Sequence, residues 1–281
     1  MVASRSRLAG ALVVAVLAGA LALDAQDPWQ WEARGRWLRV PPRFPQADSF
    51  DGSFSFCRIM YRSVRREAGG QGWSTDYPSA DVNLSVRLSE LTKMSISRQT
   101  EGEPNHLVVR LTDDALFQCP FAMIEDAGSA ALSGDEAARL RDYLLKGGFL
   151  WVDDFWGSPA WDQWVQEIRK VLPAAEFPIR TLPDDHPIFR TLFNVSEVPQ
   201  IPSIQFWRMS GGATAERGID SPHPEVSGIS DEHGRLMVLM THNTDIADAW
   251  EREGEDEEFF SRFSVDGYAV GINVVIYALT H

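Results

Sequence analysis

Gly147-Gly148-Phe149-Leu150-Trp151-Val152-Asp153-Asp154-Phe155-Trp156-Gly157 is the stretch on which the fold turns. A glycine pair closes one helix. A short apolar strand over 149–152 follows and delivers two adjacent carboxylates to its carboxyl end. In an open α/β sheet that end is the edge where ligands bind. Upstream, Ser133 and Glu136 form a capping box, and Ala137, Leu140 and Leu144 recur on one helical face. Downstream, Ser158-Pro159 is read as a second helix start, with Ser158 as N-cap and proline at the first position. Trp161, Trp164, Val165, Ile168 and Leu172 supply its inner stripe, and Pro173 closes it. Before all this stands a compact apolar strand at 121–124 that also ends in two acids, Glu125 and Asp126. The alternation β–α–β–α with short connections predicts a mostly parallel sheet covered by helices.

The outer segments extend the pattern. Residues 54–61 read as a strand, 82–91 as a short helix, 94–97 and 107–111 as short apolar runs, and 236–240 as a further strand. The last of these ends at Thr241-His242-Asn243-Thr244-Asp245. The acidic run 251–258 reads as a solvated surface. Residues 267–281 are apolar nearly all round, which predicts a deeply packed final helix.

Residues 1–25 read as a secretory signal: Arg5 and Arg7 precede an apolar run, and Ala20, Ala22 and Ala25 offer small residues for cleavage. Periplasmic or secreted placement follows, with membrane association only if the segment stays uncleaved as an anchor. Residues 26–50, rich in Trp, Arg and Pro, read as an arm or linker, and 51–281 as a single α/β domain. The net charge of −14 excludes nucleic acid as a partner and disfavours anionic lipid surfaces. Cys57 and Cys119 are the only cysteines. Export permits their pairing, but a domain of this size needs no staple, so two buried free thiols are expected.

The chemistry-bearing residues gather at predicted strand ends. Glu125, Asp126, Asp153 and Asp154 crowd one crevice if their strands are neighbours. An arginine such as Arg58 or Arg62, a cation or solvent must then offset them. Asp76 lies in a polar loop, Trp156 rims the crevice, and Asp185-His186-Pro187 places a carboxylate beside an imidazole. Asp153, Asp154, His186 and Asp245 have hard-metal donor types. No motif such as H-E-x-x-H accompanies them, so no metal or cofactor is expected. No G-x-S-x-G elbow, P-loop or G-x-G-x-x-G occurs, and no catalytic residue is assigned.

Several blocks occur together in order: Phe56-x-Arg58-Ile59-x-Tyr61, Trp73-x-x-Asp76-Tyr77-Pro78, Arg87-Leu88-x-Glu90-Leu91-Thr92 and Leu116-Phe117-x-Cys119-Pro120-Phe121. Leu140-Arg141-x-Tyr143-Leu144 leads into the Gly147–Gly157 stretch, and Asp185-His186-Pro187-Ile188-Phe189 follows. Asp231-x-x-Gly234-Arg235, Asn243-x-Asp245-x-x-Asp248-Ala249-Trp250-Glu251 and Gly271-x-Asn273-x-x-x-Tyr277-x-x-Thr280-His281 complete the set. Across roughly 54–281 the chain resembles the bacterial domain-of-unknown-function family 4159. That resemblance implies a three-layer, flavodoxin-like sandwich similar to class I glutamine amidotransferases, with no established catalytic residues. It sets Asp153-Asp154 where an amidotransferase keeps its nucleophilic cysteine. Cys57 and Cys119 stand where Thr and Tyr are expected in relatives, which favours a structural role for both.

The expected function is a non-amidotransferase binding module. Its acidic crevice, formed by Asp76, Asp153, Asp154, Trp156, His186 and Asp245, would take a small polar ligand such as a carbohydrate, or a cell-envelope partner. The alternatives are a hydrolase with Asp153 or Asp154 as base and His186 as acid, possible with metal assistance, and a cell-envelope scaffold.

Overall fold

A computed structural model describes residues 40–46 and 48–281. The signal reading and most of the Trp-rich arm fall outside these residues. The strands are, in chain order, β1 (Phe56–Met60), β2 (Arg62–Ser63), β3 (His106–Arg110), β4 (Phe121–Ile124), β5 (Ala130–Ala131), β6 (Phe149–Phe155), β7 (Arg180–Thr181), β8 (Glu225–Ser230) and β9 (Leu236–His242). The helices are α1 (Ser79–Thr92), α2 (Gly134–Leu145), α3 (Gly157–Val171), α4 (Ile204–Ser210), α5 (Asp248–Glu251), α6 (Glu257–Phe259) and α7 (Val265–Thr280).

Seven strands form one sheet in the order β3-β1-β4-β6-β9-β8-β7. The first five run parallel; β8 and β7 add an antiparallel border. This is an α/β fold with a mostly parallel sheet. Because side chains alternate across a strand, Phe56 and Arg58, Phe121 and Met123, and Phe149 and Trp151 share one face. They pack with Leu84 and Leu88 of α1, Trp250 of α5 and Ile272 of α7. The opposite parity (Cys57, Ala122, Leu150, Val152) faces the other layer, where α2 and α3 pack on each other. Continued along each strand, the first parity replaces apolar side chains by Arg58, Glu125 and Asp153 toward the carboxyl ends. Sheet alternation thus carries charge into the core at one edge.

The capping box at Ser133 and Glu136 forms as expected. Three local readings change. Strand β6 runs on through both aspartates to Phe155, with a register slip between Val152 and Phe155. The apolar run ends at Val152, but the backbone pairing does not. Ser158 does not cap α3: Trp156 occupies the N-cap, and Asp220 accepts hydrogen bonds from the Ser158 backbone N–H and hydroxyl. The two cysteines are not free: Cys57 and Cys119 form a disulfide with Cα atoms 6.1 Å apart. They are 62 residues apart in sequence, but β1 and β4 are sheet neighbours, with β3 placed outside them. That order is not legible in a linear chain.

Residue 43 of the predicted arm lies along β3, where Val108 N–H donates to the Arg43 carbonyl at 2.8 Å. The segment Glu257–Thr280 is long and apolar enough to cross a membrane, yet 61% of its apolar window is buried inside the domain. It serves as a core helix, as its all-round apolarity predicts.

Candidate functional site at the carboxyl edge of the sheet

Three neighbouring parallel strands end in the same way. Asp126 after β4, Asp154 near the end of β6 and Asn243 after β9 all have left-handed backbone, with φ of 49°, 49° and 61°. Asp and Asn tolerate this region better than other non-glycine residues because their short side chains bond locally. Each turn sends the chain sharply off the sheet. Asn243 then ties two of these turns together: its side-chain oxygen accepts from Gly157 N–H at 2.8 Å, and its own N–H donates to the Phe155 carbonyl.

The two adjacent aspartates of β6 do different work. Asp153 faces inward and is saturated. One oxygen accepts the Thr241 hydroxyl; the other accepts Ile246 N–H at 2.8 Å and Ala247 N–H at 3.1 Å. It therefore fixes the loop that carries Asp245. Burial pushes its carboxyl up to about 7 despite these bonds. Asp154 sits at the strand-to-helix elbow and accepts one hydrogen bond, from Trp156 Nε1 at 3.0 Å. Burial, then the neighbouring Asp126 and Asp76, raise its pKa well above the carboxylate range.

Further acids converge on this edge. Asp76, with φ of 60°, precedes α1; burial pushes it up to about 6. Glu125 is wholly buried, and neither of its oxygens accepts a hydrogen bond from a described residue. One Asp76 oxygen is likewise without a donor. Donor oxygens of Asp76, Glu125 and Asp245 lie within 4.8 Å of one another, and Asp76, Asp248 and Glu251 form a second such trio. Burial raises Glu125, Asp245 and Asp248 well above the ordinary carboxylate range and Glu251 to about 7. Asp126 accepts Gly72 N–H at 2.7 Å through one oxygen, has no donor for the other, and rises to about 7.

Two arginines oppose this charge. Arg58, fully buried, forks onto Asp81 and donates to the Thr75 carbonyl at 2.7 Å. Its nearest approach to Glu125 is 3.9 Å. Arg252 lies 3.7 Å from Asp248 and also pairs with Glu251. Arginine thus approaches the second trio more closely than the first, with Asp76 common to both. Arg62, the other arginine named from sequence, is exposed.

Of the residues expected from sequence, Asp76, Asp153, Asp154, Trp156 and Asp245 lie at this edge. His186 does not. Its ring is 6.0 Å from Tyr277, which in turn meets Phe149 edge-on at 6.1 Å and accepts Leu236 N–H. That is the amino end of β6 and β9. Asp153 stands four residues further along β6, about 13 Å at strand rise. Direct proton transfer between them lacks hydrogen-bond reach. Asp248 was not among the residues expected from sequence, and Glu251 falls in the run 251–258 read as a solvated surface; α5 turns both carboxylates inward. The signal was present in the Asp248-x-x-Glu251 spacing, which sets neighbours on a helical turn.

No thiol stands at this edge, since both cysteines of the chain are bridged. The donors are all oxygen, suited to a hard cation or a cationic ligand. No curated protein matches the chain. The family model described as a domain of unknown function (DUF4159) matches residues 56–279, the whole span from β1 to the last turn of α7, and the chain belongs to that family.

Proposed function

We propose that this is an exported binding module without amidotransferase chemistry, and that its acidic carboxyl-edge crevice takes a small polar ligand or the basic segment of a partner. The observation that carries this reading is the Cys57–Cys119 bridge. It removes every cysteine from use as a nucleophile and leaves the elbow to Asp154. The same bridge supports export, because disulfides persist in oxidising compartments. The likeness to the class I glutamine amidotransferase fold belongs to this proposal. It is supported by the five parallel strands and by a sharp turn from β6 into α3. The position of His186 leaves the hydrolase alternative without its acid.

Two assays on the full chain test the reading. Incubation with glutamine should release no ammonia above the buffer rate. Thermal melts against sugars, polyamines and basic peptides should show a ligand-dependent rise that is lost in Asp154→Asn. Glutamine-dependent ammonia release, or a panel with no shift at all, would overturn it.

A further inference from the structure

The trio Asp76, Glu125 and Asp245 presents a problem that the protein alone does not resolve. Glu125 has no exposed surface and, among the described residues, no hydrogen-bond donor on either oxygen. Asp76 is 8% exposed and has one oxygen without a donor. Buried carboxylates in this condition are costly unless a positive charge or a proton joins them. Arg58 is committed to Asp81 and stands 3.9 Å away at its nearest. Arg252 pairs with Glu251 and lies 3.7 Å from Asp248, the two members of the other trio besides Asp76. What remains is a set of oxygen donors converging from three separate elements: the loop before α1, the end of β4 and the loop after β9.

We infer that Asp76, Glu125 and Asp245 form a binding site for a single hard divalent cation of the Ca2+, Mg2+ or Mn2+ class. A span of up to 4.8 Å between donor oxygens is what a cation with oxygens at about 2.4 Å on opposite sides requires. Oxygen-only donors select hard ions over zinc or copper. One of the three donors, Asp245, is held in place from behind. Asp245 accepts Asp248 N–H at 2.8 Å, which orients its side chain. Asp153 pins Ile246 and Ala247 immediately after it. Such an ion would crosslink β4, β9 and the α1 entry loop and would set the charge seen by a ligand at Asp154. The inference rests on the binding reading of this edge and names one ligand class for it.

The test uses the full chain, stripped with a chelator and then titrated separately with Ca2+, Mg2+ and Mn2+ by calorimetry and thermal melts. One ion per chain is expected, with a melting temperature that rises with ion concentration as linkage requires. Glu125→Gln should lose both responses while its ion-free melt is unchanged or higher, because an amide replaces an uncompensated carboxylate. Asp76→Asn, which keeps a residue tolerant of left-handed backbone, should lose them too and decides the matter if Glu125→Gln fails to fold. Glu232→Gln, at an exposed site, should bind like the parent. No response to any of the three ions at millimolar concentration overturns the inference and leaves protons as the compensating charge. Binding that survives in both Glu125→Gln and Asp76→Asn overturns it as well. If the ions are silent while the organic ligand panel still gives an Asp154-dependent shift, the cation site falls and the binding module stands.

Discussion

Asp153 and Asp154 are neighbours in sequence with opposite duties, and the difference is measurable. Asp153→Ala removes the acceptor for Ile246 and Ala247 N–H and leaves both buried. Each unpaired buried donor costs about 1–3 kcal/mol, so a loss of roughly 3 kcal/mol is expected from urea denaturation. Asp154→Ala removes one hydrogen bond from Trp156 and one carboxylate from a crowded acidic edge. The lost bond and the cost of alanine at a φ of 49° oppose the relief of charge, and the net change should stay within about 1 kcal/mol. Equal losses for the two variants would contradict the division of labour. From sequence alone the pair was legible as a site marker because it follows an apolar strand. Which member meets the layer of α1, α5 and α7 was not, because every residue of β6 is buried and the sheet is covered on both faces.

At the scale of elements, the disulfide joins β1 to the turn that enters β4. Closing a loop of 62 residues in the unfolded chain is worth about 4 kcal/mol in the chain-entropy account. Cys57→Ala/Cys119→Ala should lose stability of that order, read from denaturation midpoints with and without reductant, and the double variant should no longer respond to reductant. A variant as stable as the parent would show that strand packing alone fixes β1 against β4. The elements themselves were largely legible. Capping at Ser133, the Gly147-Gly148 stop and the stripe from Trp161 to Leu172 each carry a local physical signal. The antiparallel border of β7 and β8 was not, since Glu225–Ser230 mixes polar residues and glycine and derives its strand character from pairing with β9. Helix α5 is only four residues long and has too little periodicity to announce itself. Its inward carboxylates are therefore the part of the site that a linear reading loses.

At the scale of the whole molecule, the carboxyl edge concentrates buried negative charge that Arg58 and Arg252 only partly offset. That imbalance makes stability depend on pH with a definite sign. Asp126, Asp153 and Glu251 are raised to about 7 in the folded protein, and Glu125, Asp154, Asp245 and Asp248 lie well above their usual values. In the unfolded chain all are ionised above about pH 6. Between about pH 6.5 and 8.5 the folded state therefore binds more protons than the unfolded state, and stability falls as pH rises. Each group contributes about 1.4 kcal/mol per pH unit at most, while it still holds its proton in the folded state and has lost it in the unfolded one. His106, His186 and His242 have lowered pKa values; the stability they contribute is lost as pH falls through about 6.5, so they oppose the decline only at the lower end of this window. The most direct measurement is urea denaturation of the full chain in chelator at several pH values from about 6.5 to 8.5. The account predicts a stability that declines steadily across that range, with a shallower decline in Glu125→Gln. A stability that is flat or rises with pH would contradict the claim that this edge carries buried charge awaiting a ligand.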